Sequence, residues 1–114
     1  MEIKYYSNSF GNSPILKYIS TLIDKDHAAS IFVDINLLAD FGSGYLSRTA
    51  DLGKVTGVKN LWELRTRCSG NIIYRTLFSI VGEDVVILNI FNKKEQKLKK
   101  QEINLALRRL NNLI

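Results

Sequence analysis

The hydrophobic residues of this chain follow a helical period in its first third and at its end, and a strand period in between. A short apolar run at residues 3–6 predicts a strand. Ser13 precedes a proline, which is a favourable start for a helix, and apolar residues then recur every three or four positions to about Asp24. A second helical pattern begins near Asp26 and ends at Gly42. The short break between the two predicts an antiparallel helical hairpin.

Residues 61–92 have the pattern of an antiparallel sheet. Three runs rich in β-branched, aromatic and aliphatic residues are separated by two turn signals, Ser69-Gly70 and Gly82-Glu83-Asp84, which predicts a three-stranded meander. Because the side chains of a strand alternate between its faces, the first strand is predicted to have two different faces. The face toward the hairpin carries Trp62, Leu64 and Thr66, and the open face carries Glu63, Arg65 and Arg67.

The other two strands of the meander are apolar on both faces, which predicts that they are central in the sheet. Alternation places Arg75 opposite Tyr74 in the second strand. In the third strand it places Asn89 and Phe91 on one face and Leu88 on the other. A closing amphipathic helix has an apolar stripe formed by Ile103, Ala106, Leu107, Leu110 and Ile114.

Together these elements predict one α+β domain over residues 1–114. It has an N-terminal strand, an α-helical hairpin, an antiparallel β-meander with the helices packed on one face, and a C-terminal helix. Residues 43–60 contain three glycines and no clear period, so they are predicted to form a long loop. Lys54 and Lys59 lie on this loop, which could form one wall of a groove beside the basic strands.

The positive charge of the chain is concentrated in its second half. The net charge is +5; residues 1–60 hold six Lys and Arg against six Asp and Glu, whereas residues 61–114 hold ten against five. A one-sided basic balance indicates a polyanionic partner. A basic surface that serves only solubility is the alternative, and charge alone does not separate the two.

Composition excludes several other classes of protein. No apolar run approaches the roughly 18–20 residues that span a bilayer, and the N-terminus lacks the pattern of a signal peptide, so we expect a cytoplasmic protein without a membrane partner. Cys68 is the only cysteine and His27 the only histidine, which predicts neither a disulfide nor a metal site. His27 is predicted to lie on the surface at the start of the second helix. Arg67 beside Cys68 could lower the pKa of that thiol.

Arginines inside strands need a physical reason, because a guanidinium is costly to desolvate. Arg65, Arg67 and Arg75 are threaded through the predicted meander. A phosphate-binding face would explain them, since the planar fork of arginine binds two phosphate oxygens at once and stays charged. Pairing with Glu63 across the strands, or a solvated edge, is the alternative explanation.

An ordered set of short motifs resembles one known family. The motifs are Leu61-Trp62-Glu63-Leu64-Arg65, a turn at Gly70, Tyr74-Arg75, Phe91-Asn92-Lys93-Lys94 and Glu102-Ile103-Asn104-Leu105-Ala106. With the preceding strand and hairpin they resemble the HigB-like, phage-derived branch of the RelE/ParE toxin superfamily over nearly the whole chain. Many members of that family carry His-Gly where this chain has Asn89-Ile90, and Thr-Pro where it has Leu98-Lys99-Lys100.

The resemblance implies a RelE-like fold and a role as the toxin of a type II toxin–antitoxin system. It also implies the activity of an mRNA interferase, which is a metal-independent endoribonuclease that usually depends on the ribosome and inhibits translation. The implied partners are mRNA, the ribosome and a cognate antitoxin, expected to be a helix-turn-helix protein. No cofactor is implied.

RNA cleavage without a metal uses the ribose 2′-OH as nucleophile, and the enzyme must stabilise the charge that develops on the phosphate. With no imidazole on the basic face, a lysine is the expected base, because a crowd of like charges lowers the pKa of an ammonium group. The predicted catalytic residues are Arg65, Arg75, Lys93 and Lys94. The predicted RNA-binding residues are Arg67, Tyr74, Phe91, Lys97, Lys54 and Lys59. For the two aromatic residues, a place in the core is the alternative to stacking on a base.

A second class of function stays open at this point. A protein of the same fold without catalysis could inhibit DNA gyrase, or could be a phage-derived adaptor that only binds a partner. The absence of the family's histidine favours this alternative, and the density of arginine and lysine favours the nuclease.

Overall fold

The computed structural model describes residues 1–40, 51–92 and 100–113. Its strands are β1 (Glu2–Tyr5), β2 (Asp51–Lys54), β3 (Trp62–Cys68), β4 (Ile72–Val81) and β5 (Asp84–Asn92). Its α-helices are α1 (Pro14–Ser20), α2 (Lys25–Leu37) and α3 (Lys100–Asn111), with short 3₁₀ turns at Leu38–Asp40 and Ser69–Asn71. The predicted α+β architecture is confirmed.

The strands form one five-stranded sheet in the order β1-β5-β4-β3-β2. Antiparallel pairing joins β3, β4 and β5 into the predicted meander. In the five-stranded sheet β4 and β5 are interior strands, as their apolar character indicated, and β3 is interior as well. The N-terminal strand joins the sheet beside β5 and runs parallel to it. The chain therefore crosses the sheet through the helical hairpin before the meander begins.

The two faces of the sheet carry separate hydrophobic cores. On the hairpin face, Ile19 of α1 and Ile35 of α2 pack with Leu64 and Phe78, all four of them fully buried. On the opposite face, which we call the arginine face, α3 packs against β4 and β5 through Ala106. This face was predicted to be open, but only the part near β3 and β2 lies beyond the contacts of α3 with β4 and β5. The C-terminal helix thus confines the arginines to one end of the sheet.

The prediction of a loop over the whole of residues 43–60 is wrong for residues 51–54. These residues form β2, an edge strand in which Asp51 lies opposite Arg65 and Lys54 lies opposite Trp62. Leu52 packs against the hairpin core, which holds the strand in place although its sequence contains a glycine. Leu52 is the single large apolar residue of this segment, which is too few for a strand pattern to be recognised from sequence, so the pairing with β3 decides this element.

A β-bulge in β5 changes which side chains of that strand share a face. Leu77 pairs with Asn89 and Phe78 pairs with Ile87, so Leu88 is the extra residue. Two successive residues at a bulge project from the same side, which brings Asn89 to the arginine face together with Leu88. Strict alternation had separated these two residues, and that prediction is wrong. From the bulge onward every side chain of the strand is shifted by one position.

The boundaries of the first two helices differ from the prediction because Asp24 belongs to the second helix. Its carboxylate accepts hydrogen bonds from the backbone N–H groups of Asp26 and His27, so Asp24 is the N-cap. The first helix ends at Ser20, where the hydroxyls of Ser20 and Thr21 donate to carbonyl groups of the last turn. The predicted end of the second helix, Gly42, lies outside the described residues.

Among the helices of the described ranges, none has the length and apolar character that crossing a membrane requires.

Candidate nucleic-acid interface

Strand pairing brings the predicted arginines together on one face. Arg65 lies directly opposite Arg75 in the β3–β4 ladder, and Asp51 lies opposite Arg65 in the β2–β3 ladder. Arg67 and Glu63 are two residues away from Arg65 along β3 and therefore project from the same face. These five residues, Asp51, Glu63, Arg65, Arg67 and Arg75, form one connected group, which we call the arginine network. Directly opposed like charges are unfavourable, so the two carboxylates are needed for this pairing.

The outer part of the network is accessible to solvent. One oxygen of Asp51 lies 2.7 Å from Nη2 of Arg65, and the other lies 2.8 Å from Nη2 and 2.9 Å from Nε of Arg67. The side chains of Arg65 and Arg67 are 33% and 66% exposed, and that of Asp51 is 30% exposed. Asp51 therefore binds two guanidinium groups at the edge of the sheet, where a ligand could reach all three residues.

The inner part of the network is buried. Nη1 of Arg75 lies 3.1 Å from each carboxylate oxygen of Glu63, and Arg75 is only 4% exposed. Arg75 was predicted as a catalytic residue, but it is not accessible from solvent beside Arg65. A guanidinium at this position would be strongly destabilising without its carboxylate, which gives Glu63 a structural role. The part of Arg75 in catalysis stays a prediction.

Glu63 connects the inner and outer parts, because the carboxylate oxygen that accepts from Arg75 is also 3.7 Å from Nε of Arg65. Three arginines and two carboxylates leave the network with one positive charge. A single phosphate group at the outer arginines would therefore meet a favourable field, although each guanidinium already has a carboxylate partner in this structure.

The predicted lysines do not all join the network. Lys93, Lys94 and Lys97 lie outside the described residues. The ammonium group of Lys54 lies 5.8 Å from the centre of the Trp62 ring, on the hairpin side of the sheet. Lys59 is exposed on the loop after β2, and the two described lysines line one surface pocket of about 370 Å³. Their predicted role in RNA binding stays a prediction.

Both predicted aromatic contacts of RNA belong to the hydrophobic cores. Tyr74 is 4% exposed and lies on the hairpin face, away from the arginine network. Phe91 is 7% exposed and lies on the arginine face, opposite Arg75 in the β4–β5 ladder. Both rings therefore lie in the hydrophobic cores, which was the alternative to RNA contact, and base stacking by either ring stays a prediction.

A polar cluster on the hairpin face was not predicted. His27 is 6% exposed, so the expectation that it lies on the surface is wrong. Its Nδ1 is 3.0 Å from the hydroxyl of Tyr74, and its Nε2 is 3.0 Å from the hydroxyl of Ser69 and 3.3 Å from the carboxylate of Asp24. The cluster ties the start of α2 to β4 and to the β3–β4 turn. Its hydrogen bonds join residues up to 47 positions apart, so no local pattern could reveal it.

The surroundings of Cys68 also differ from the expectation. Burial raises the pKa of this thiol, and the negative charges of Asp34 and Asp24 raise it further. The lowering that we expected from Arg67 fails because the two side chains project from opposite faces of β3. Cys68 is therefore a poorly activated thiol. In the part of the chain that the structure describes, no three or more His, Cys or acidic residues are grouped as a metal would require.

These observations define a small α+β protein with a two-sided sheet and a partly exposed arginine network at one end of it. The family model described as "phage derived protein Gp49-like (DUF891)" matches residues 17–111 of the chain. The chain belongs to this Gp49-like family. No curated protein matches it.

Proposed function

We propose that this protein is the toxin of a type II toxin–antitoxin system, of the HigB-like branch of the RelE/ParE superfamily, and that it cleaves mRNA. The observation that carries the proposal is the pair of arginines on the arginine face that solvent reaches, the partly exposed Arg65 and the exposed Arg67. Membership in a phage-derived family and the motifs shared with HigB-like toxins support the same assignment. The expected partners are the ribosome, an mRNA substrate and a cognate antitoxin.

In this proposal the arginines bind and stabilise the phosphate at the cleaved bond. The ribose 2′-OH attacks its own 3′-phosphate, the P–O5′ bond breaks, and the products are a cyclic phosphate and a 5′-hydroxyl. Arg65 and Arg67 hold the non-bridging oxygens, where negative charge increases in the transition state. Lys93 or Lys94 accepts the proton of the 2′-OH, in keeping with the lysine run of the sequence, and the departing 5′-oxygen takes up a proton from the other lysine or from water.

Primer extension on cellular messages after induction tests the proposal. We expect new 5′ ends in translated messages within minutes of inducing the wild type. The Arg65→Ala/Arg67→Ala protein should give none at equal expression, and Arg108→Ala, which removes one exposed positive charge on α3, should behave as the wild type. Unchanged messages in cells whose growth the wild type arrests would contradict RNA cleavage.

One observation favours a non-catalytic function on the same fold. Arg75 and Glu63 form a buried pair, so one of the two arginines in the family's motifs is not presented to a ligand. A gyrase inhibitor or a phage-derived adaptor would not need Arg75 to contact a phosphate group. A supercoiling assay with purified gyrase separates the first of these from the nuclease, since only a gyrase inhibitor would reduce supercoiling while leaving messages intact.

A further inference from the structure

The carboxylate of Asp51 lies between the guanidinium groups of Arg65 and Arg67, where it is bound as an anionic ligand would be. Its two oxygens lie 2.7 to 2.9 Å from three guanidinium nitrogens, one of Arg65 and two of Arg67. A carboxylate and a phosphodiester both present two oxygens on one central atom and share one negative charge, and guanidinium forks bind either. Asp51 thus occupies the position at which these two arginines would bind a phosphate of an RNA backbone.

The two carboxylates of the network differ in how easily they can be displaced. Glu63 is 11% exposed and pairs with a guanidinium that is 5% exposed, and breaking such a buried pair is strongly unfavourable. The Asp51 side chain is 30% exposed and lies on a four-residue edge strand, and ion pairs at such positions contribute little to stability. An incoming anion can therefore replace Asp51 but not Glu63.

We infer that Asp51 is an internal competitor of the RNA backbone, displaced from Arg65 and Arg67 when a phosphodiester group of single-stranded RNA binds. Arg75 stays paired with Glu63, whose carboxylate also lies 3.7 Å from Nε of Arg65 without a hydrogen bond to it. The inference rests on the proposed function, since it concerns the same face and the same ligand. It identifies Arg65 and Arg67 as the phosphate contacts and excludes direct contact by Arg75.

An internal competitor also predicts which anions bind. A single free phosphate must displace Asp51 with no other contact to compensate, whereas a polymer retains its other contacts to basic residues. The wild-type protein should therefore bind an RNA oligonucleotide but hardly respond to inorganic phosphate at millimolar concentration.

Fluorescence anisotropy with a labelled single-stranded RNA tests the competition. The Asp51→Asn protein keeps the shape of the side chain and loses its charge, and we expect it to bind about 3–10-fold more tightly at about 100 mM salt. Glu83→Gln is the matched control, because it removes one negative charge at the exposed β4–β5 turn, and its affinity should change less than about twofold. Asp51→Ser provides a second variant, and circular dichroism checks that each protein is folded.

A second arm separates competition from a general change of charge. In an Arg65→Gln/Arg67→Gln background the released guanidinium groups are absent, so Asp51→Asn should change the affinity less than about twofold. The same gain in both backgrounds, or equal gains for Asp51→Asn and Glu83→Gln, would overturn the inference while leaving RNA binding intact. If none of the proteins binds RNA, the proposed function fails and the inference fails with it.

Discussion

At the scale of single residues, the arginine network shows that one residue type serves two purposes. Arg75 is 4% exposed and is neutralised by Glu63, whereas Arg67 on the neighbouring strand has a side chain that is 66% exposed. A guanidinium in the first environment is tolerated only with its carboxylate partner, whereas one in the second is accessible to a ligand. Burial, rather than residue identity, therefore distinguishes the two arginines.

The buried pair makes a prediction about stability. Glu63→Gln leaves the Arg75 guanidinium buried without a countercharge, so the free energy of unfolding should fall by about 3–5 kcal/mol. Asp51→Asn removes a carboxylate that is partly exposed, and the loss should stay below about 1 kcal/mol. Urea denaturation of the two variants measures both values. Equal losses would show that the inner pair is no more important than the outer one.

The hydroxyl of Tyr74 allows a second test, which asks whether this side chain belongs to the core or contacts RNA. Tyr74→Phe removes the hydrogen bond to His27 and keeps the ring, so we expect a loss of about 1 kcal/mol in stability. Because the ring lies on the hairpin face, RNA affinity should not change. A folded Tyr74→Phe protein with weakened RNA binding would instead support the predicted contact with a base.

Cys68 makes stability depend on pH on the alkaline side. Burial raises the pKa of this thiol above its ordinary value of 9.0 in the folded state, so the folded protein holds the thiol proton more tightly than the unfolded chain. The resulting contribution to the free energy of unfolding is fully present below about pH 9 and is lost as the pH rises through the raised pKa of the folded state. Cys68→Ala should therefore lose less stability than the wild type between pH 8 and about pH 10. Identical pH profiles would contradict the effect of burial on this thiol.

At the scale of elements, the bulge in β5 couples the sheet to the C-terminal helix. The carbonyl of Leu88 accepts a hydrogen bond of 2.7 Å from Arg109, and the side-chain amide of Asn89 donates to the carboxylate of Glu102 at 2.8 Å. Both contacts use residues at the irregularity of the strand. The bulge thus supplies polar anchors that a regular strand would direct to its neighbour.

Arg109 is the more testable of these anchors. Burial lowers its pKa, which shows that the guanidinium is partly desolvated, and its ring contact with Tyr6 at 5.4 Å adds to its attachment. Arg109→Gln should lower the free energy of unfolding by about 1.5–3 kcal/mol, the range for hydrogen bonds to charged groups. Arg108→Gln, on the exposed side of the same helix, should change it by less than about 0.5 kcal/mol. Equal effects of the two substitutions would exclude the anchoring role.

At the scale of the whole molecule, six of the ten Lys and Arg residues of the second half lie in the described elements β3, β4 and α3. Phosphate contacts make the affinity for single-stranded RNA fall with salt, with a slope of about 0.7 per phosphate neutralised. Arg67→Ala should therefore reduce the salt slope by about 0.7 and weaken binding to all sequences alike. Arg75→Ala should leave the slope unchanged in any protein that folds. RNA titrations of both variants at several salt concentrations measure the two slopes.

Much of the fold could be predicted because it depends on local periodicity. The alternation in β3 separates Leu64 from Arg65, and it holds in the structure. The central place of β4 and β5 follows from their apolar faces in the same way. Alternation failed only after Leu88, since a bulge inserts one residue and changes no residue type that a pattern could detect.

Local spacing predicts the order of most elements, with β2 as the exception, and the faces of β3 and β4, because each follows from neighbouring residues. Strand register then groups Arg75 with Arg65. The tertiary fold buries Arg75 with Glu63, brings Asp51 from β2 into the same network, and encloses His27 between Tyr74 and Ser69. These outcomes depend on pairs of residues that are 12 to 47 positions apart. Burial and ion pairing are properties of such long-range contacts, and residue spacing along the chain carries no information about them.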